Sequence, residues 1–125
     1  MIIEDDVKLD YSDVLIRPKR STLTSRFEVD MNKTYTFYHS KQEWTGVPIM
    51  ASNMDGVGTF EMAKELQKHK MMTVITKTTT PDEWKQAAGT GLRLQSVSVC
   101  TGTNVMWDPD APDWATMKTV LEMFP

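Results

Sequence analysis

Metal centres and disulfide frameworks need residues that this chain barely contains. It has one cysteine, Cys100, and two histidines, His39 and His69, in 125 residues. A single cysteine cannot form an internal disulfide, and the histidines have no partners at metal-ligand spacing. A reduced compartment is the expectation, with the cytoplasm as its default. Long apolar runs are missing too. No stretch reaches the roughly 18 apolar residues of a membrane span. The start, Met1 to Asp6, carries two isoleucines and then three acids, not the basic start and apolar run of a secretory signal. Nor is positive charge in excess. The 14 basic and 17 acidic residues are mixed along the chain and leave a net charge of −3. Nonspecific nucleic-acid binding needs a basic face, so neither nucleic acid nor membrane is an expected partner. A site for a single nucleotide is still compatible, because it needs only a few placed groups.

What is present describes a folded chain. Hydrophobic residues make up 40% of the sequence, which sets it apart from disordered segments. Ten methionines point to adaptable apolar packing. The length suits one domain, spanning residues 1–125. There are no repeats and no low-complexity stretch.

The first 45 residues read as an irregular lead-in with one or two short strands, such as Tyr35 to Tyr38. Pro18 disfavours helix at Arg17. After Gly46 the pattern becomes regular. Val47 to Ser52 is a short apolar run ending in a polar turn, and Phe60, Ala63, Leu66 and Gln67 then follow helical spacing to about Lys70. Met71 to Thr76 is a second apolar run. Thr80-Pro81-Asp82-Glu83 predicts a helix start, with a threonine cap, a first-turn proline and a capping glutamate. Gly89 predicts its end. Leu94 to Cys100 reads as a third strand. A third helix opens at Asp110-Ala111-Pro112-Asp113, with Trp114, Met117, Leu121 and Phe124 on one stripe. The acids of the Trp107 to Trp114 loop are expected to cap it.

Three strand–helix units in a row predict parallel strands with crossover helices, an α/β arrangement. Ligands in such folds sit at the carboxyl ends of the strands. Those ends are Ser52 to Asp55, Thr76 to Thr78 and Thr101 to Thr103, all polar. Three parallel strands with one helix layer expose an unpaired edge, whereas a β/α barrel needs eight strands and about 250 residues. The chain therefore reads as truncated, or as one piece of a larger assembly.

Two stretches carry a family resemblance. Asp6 to Leu23 (DVKLDYSDVLIRPKRSTL) resembles the entry segment of GMP reductases. Gly46 to Asp55 (GVPIMASNMD), followed by Val57-Gly58-Thr59-Phe60, resembles their first barrel strand and its loop. Weaker similarity continues from Met71 to Phe124. The resemblance implies a partial (β/α)8 TIM barrel, comprising about the first three βα units. IMP dehydrogenase, the nearest rival, usually inserts a regulatory domain after its second βα unit. Here only Gly89 to Arg93 separate the second helix from the third strand, which favours the reductase.

The activity implied is NADPH-dependent reductive deamination of GMP to IMP and ammonia in purine salvage, by a homotetramer. In the family the attacking cysteine follows the sixth strand, with a potassium site and a proton-handling threonine. The resemblance puts all of these beyond Pro125, so the chain alone is expected to be inactive. The alternatives are a noncatalytic piece that pairs with full-length subunits, half of a split enzyme, or an IMP dehydrogenase fragment.

Cys100, in Ser98-Val99-Cys100-Thr101, resembles the family's catalytic stretch, yet it falls at a third strand's end and reads as a buried strand-end thiol. Lys77 matches a lysine that contributes to the NADPH site; the plain alternative is a lysine reaching solvent from a strand end. Thr76 and Thr78 replace the histidines usual beside it, and Thr79 replaces an aromatic residue. Ser25 and Arg26 match a pair that contacts NADPH across a subunit boundary, with a solvated arginine as the alternative. Ser52 and Met54 match residues at the nucleotide, although a methionine at a strand end is often plain core. Asn53 and Asp55 are expected to fix the loop through side chain-to-backbone bonds.

Overall fold

A computed structural model describes residues 6–103 and 112–123. The expected opening and end of the third helix, Asp110, Ala111 and Phe124, and the acidic loop at Trp107 lie outside the described residues. The chain divides into two compact units, Met1–Asp30 and Met31–Pro125.

In the first unit two 3₁₀ turns stand where local capping chemistry puts them. At Tyr11–Asp13, Asp10 Oδ1 accepts from the Tyr11 N–H at 2.7 Å and Asp13 Oδ2 accepts from the Asp10 N–H at 2.9 Å. At Arg26–Glu28, Ser25 Oγ accepts from the Phe27 N–H at 3.3 Å. The Glu28 carboxylate receives the Thr24 hydroxyl at 2.6 Å, and these hydrogen bonds hold its carboxyl below the usual range. Neither turn buries a residue, and Tyr11, Leu15 and Ile16 are almost wholly exposed. The expectation of an irregular lead-in holds for this unit.

The second unit opens with an antiparallel hairpin, β1 (Lys33–Thr36) and β2 (Glu43–Gly46). The rings of Tyr35 and Trp44 stack across it at 6.4 Å, and the Thr34 and Thr45 hydroxyls pair at 2.8 Å. The strand begins before Tyr35 and stops at Thr36. Phe37 turns the chain by donating its N–H to the Gln42 carbonyl and accepting from the Lys41 N–H.

Three parallel strands follow, β3 (Met50–Ala51), β4 (Met72–Ile75) and β5 (Val97–Val99), in the spatial order β3-β4-β5. All three are shorter than their apolar runs. The Val47 N–H goes to the Lys70 carbonyl and the Ile49 N–H to the Val47 carbonyl, so regular pairing starts only after Ile49, whose carbonyl accepts the Met72 N–H at 3.2 Å. Leu94–Ser96 forms a 3₁₀ turn instead of strand.

The helices are α1 (Phe60–Leu66), α2 (Pro81–Ala88) and α3 (Pro112–Met123). Thr59 caps α1 through the Met62 N–H, and a 3₁₀ turn at Gln67–His69 carries it to Lys70. Lys70 sits in the left-handed region at φ 56°, ending the helix as glycine or asparagine often does. Thr80 and Glu83 form the expected capping box on α2, with Pro81 in the first turn.

On the helix side of the sheet Ile75 packs with Ala63, Trp84, Ala87, Leu92 and Val120. Phe60 meets Trp84 edge to face at 5.2 Å. Thr73 and Ile75 alternate with Met72 and Val74, so the first pair faces this core and the second the opposite side. One expectation is corrected here. The buried stripe of α3 runs through Asp113, Thr116, Met117, Val120 and Met123, whereas Leu121 is 54% exposed and Trp114 37%. Both sides of this helix carry apolar residues, so periodicity alone did not choose between neighbouring positions. Insertion of Val120 beside Trp84, Val97 and Val99 did.

The result is a mixed α/β arrangement, an open three-stranded parallel sheet with helices against one face.

Candidate functional site

The carboxyl ends of β3, β4 and β5 converge, as their parallel order requires. After β3 the chain turns sharply. The N–H groups of Val57 and Gly58 both donate to the Met54 carbonyl, at 3.0 and 2.8 Å, and Gly56 takes φ 76°. Glycine tolerates that region without steric cost. The loop is then tied to the next strand, because the Gly58 carbonyl accepts the Thr76 N–H at 3.1 Å. Gly58 is buried, and a Cβ there would strike the Val74 carbonyl oxygen.

Thr76 leads into the lysine turn. Its hydroxyl pairs with that of Thr79 at 3.0 Å and receives the Thr78 hydroxyl at 3.3 Å. These contacts, with the capping box behind them, brace the short turn that presents Lys77. The Glu83 carboxyl is held below its usual range by the Thr80 N–H and hydroxyl.

Asn53, Met54, Asp55, Thr76, Lys77 and Thr78 line an open cleft of about 490 Å³. Of the residues singled out from sequence, Met54 and Lys77 therefore share one cleft. Ser52 stands exposed at the end of β3, just before it. Ser25 and Arg26 belong to the first unit. There Ser25 serves as a cap, and the Arg26 guanidinium lies 5.3 Å from the centre of the Phe27 ring. The lysine, the hydroxyls of Thr76 and Thr78 and the apolar edge of Met54 suit a ligand with both an apolar ring and acceptor oxygens.

Two contacts at these strand ends escaped the sequence reading. Asn53 does not simply brace its own loop, because its amide donates to Cys100 Sγ at 2.7 Å and links the first strand end to the third. Cys100 itself is half-buried, one residue past β5. Asp113, in the first turn of α3, accepts the Gly102 N–H at 3.1 Å and approaches Lys77 Nζ to 3.7 Å. No periodicity or motif joins residues so far apart in sequence. Among the described residues no group of three histidine, cysteine or acidic side chains could hold a metal, and no helix is long and apolar enough to cross a membrane.

A separate depression of about 460 Å³ opens beside α1 and α2, lined by Lys64, Thr79, Glu83 and Thr90 among others. At the opposite end of the sheet Gln67 holds the turn before β5. Its amide donates to the Gly91 carbonyl at 3.2 Å and accepts the Arg93 N–H at 2.8 Å.

Comparison with known proteins shows the family. The IMP dehydrogenase / GMP reductase domain matches residues 8–90. The chain is 51% identical to a GMP reductase of Shewanella pealeana over 106 residues, covering 83% of this chain and 30% of that protein. It is 46% identical to GMP reductase 1 of Homo sapiens over 124 residues, covering 98% and 34%. For a GMP reductase of Caenorhabditis elegans the figures are 44% over 125 residues, 98% and 33%. The chain thus spans about a third of the length of the curated relatives it matches. The match over most of its length makes this chain a member of the IMP dehydrogenase / GMP reductase family.

Proposed function

We propose that this chain forms the opening arc of a (β/α)8 barrel domain of GMP reductase type. In this reading residues 1–125 belong to one domain whose whole form acts in the cytoplasm as a homotetramer. It reduces GMP with NADPH, releasing IMP and ammonia. Met54 and Ser52 contribute to the nucleotide side and Lys77 to the cofactor side, while Ser25 and Arg26 contact NADPH across a subunit boundary. NADPH supplies the hydride. The roles of this chain's residues are to bind and orient, because the attacking cysteine and the potassium site are expected in later loops of the family barrel.

One observation carries the reading. The cleft at the strand ends joins Met54 of the first loop to Lys77 of the second, in the sequence stretches that resemble the reductases. The connection from α2 to β5 supports reductase over dehydrogenase. It is short, passes through Gly91 at φ 82°, and is held closed by Gln67, with no room taken by an inserted domain.

The test follows NADPH absorbance in the presence of GMP. The purified chain alone is expected to give no turnover. Adding a polypeptide that carries the remaining five strands of a reductase is expected to restore it, and Lys77→Met is expected to abolish the restored activity. NADPH consumption by the isolated chain would overturn the assignment of the chemistry to later loops. If the mixture stays inactive while the chain co-elutes with intact reductase subunits, the noncatalytic reading replaces this one.

A further inference from the structure

We infer that Asp113 is a positioning residue for Lys77, holding its ammonium group at the mouth of the strand-end cleft. This rests on the reading of Lys77 as a cofactor-binding lysine. Three observations converge on the carboxylate. Asp113 Oδ2 lies 3.7 Å from Lys77 Nζ. The same oxygen accepts the backbone N–H of Gly102 at 3.1 Å. A Cβ on Gly102 would come within 2.6 Å of that oxygen and 3.9 Å of Lys77 Nζ, so an added methyl would displace the carboxylate from its place beside the lysine.

The physical consequence is a division of labour. A lysine ammonium rides on a flexible four-carbon stem and finds no fixed place by itself. The backbone hydrogen bond from Gly102 anchors the carboxylate to the third strand end. The anchored carboxylate then confines the ammonium by charge. At 3.7 Å the contact is an ion pair and not a close hydrogen bond, so the ammonium keeps its protons for acceptor oxygens in the cleft. The side chains of Lys77 and Asp113 are 56% and 34% exposed, so water screens the pair and it adds little to stability. A structural role and a positioning role therefore separate experimentally.

The experiment uses the whole chain with lysine side chains labelled with ¹⁵N, the Lys77 Nζ signal being assigned by its loss in Lys77→Arg. NADPH is the titrant. Asp113→Asn is expected to shift or broaden the Lys77 signal, to weaken NADPH binding about twofold to fivefold, and to leave the urea midpoint unchanged. Asp113→Glu is expected to recover both signal and binding. Gly102→Ala keeps every charge but crowds the carboxylate, and is expected to reproduce the Asp113→Asn change at Lys77. A Lys77 signal indifferent to both Asp113→Asn and Gly102→Ala overturns the inference. So does a drop in the urea midpoint that parallels the signal change and is not rescued by glutamate. If the Lys77 signal responds as expected but NADPH moves no resonance in any form, the positioning role stands and the cofactor reading of the cleft falls.

Discussion

The carbonyl oxygen of Gly58 accepts the backbone N–H of Thr76 at 3.1 Å, so the loop after the first parallel strand is bonded to the exit of the second. Met54 and Lys77 come to share a cleft through this link. Adding a methyl at Gly58 drives it into the Val74 carbonyl, a backbone group that cannot swing away. Gly58→Ala is expected to destabilise the chain by about 1–3 kcal/mol, as overpacking does. Gly56→Ala meets open space and loses only its positive-φ freedom, at about 1 kcal/mol. Urea midpoints of the two variants check the order; equal losses would mean that Gly58 is not confined.

The register of α3 gives a sharp contrast between adjacent residues. Val120 is 1% exposed and Leu121 is 54%. Val120→Ala should cost about 1–3 kcal/mol through lost apolar contact and the cavity left beside Trp84. Leu121→Ala should stay within about 0.5 kcal/mol, as surface changes usually do. Chemical denaturation of both settles whether the stripe lies where packing puts it. A larger loss at Leu121 would restore the stripe expected from periodicity.

Thr73 is fully buried, and its hydroxyl lacks a hydrogen-bond partner among the described residues. Burying a hydroxyl without compensation is unfavourable. Thr73→Val replaces it with a methyl of similar shape and is expected to raise stability by about 1 kcal/mol, read as a higher thermal midpoint. A lower midpoint would mean that the hydroxyl has a partner in solution.

The capping box of α2 predicts a pH dependence. Hydrogen bonds from Thr80 lower the Glu83 pKa below its ordinary 4.5. A carboxyl depressed in the folded state favours folding above the unfolded pKa, and that contribution is lost as pH falls through the folded value. Hydrogen exchange at the Glu83 and Trp84 amides is therefore expected to show reduced protection below about pH 4.5, once corrected for the intrinsic rate. Thr80→Ala should reduce that protection at neutral pH and cost about 1 kcal/mol. Protection that is flat across this window in the unmodified chain would refute the cap.

Local chemistry made several features readable from the amino-acid order alone. Thr80, Pro81 and Glu83 announce a helix start because their side chains satisfy backbone groups within three residues. The alternation of apolar runs with helical spacing announces parallel strands, and the order β3-β4-β5 agrees. Extended motifs at Asp6 to Leu23 and Gly46 to Asp55 announce the family for the same reason, since they are contiguous. Tertiary packing decided what contiguity cannot encode. The meeting of Asn53 with Cys100, the anchoring of Asp113 on Gly102 beside Lys77, and the choice of Val120 over Leu121 each join residues from separate elements. Such contacts depend on how strands and helices stack, and side-chain identity along one segment carries no record of what lies across the gap.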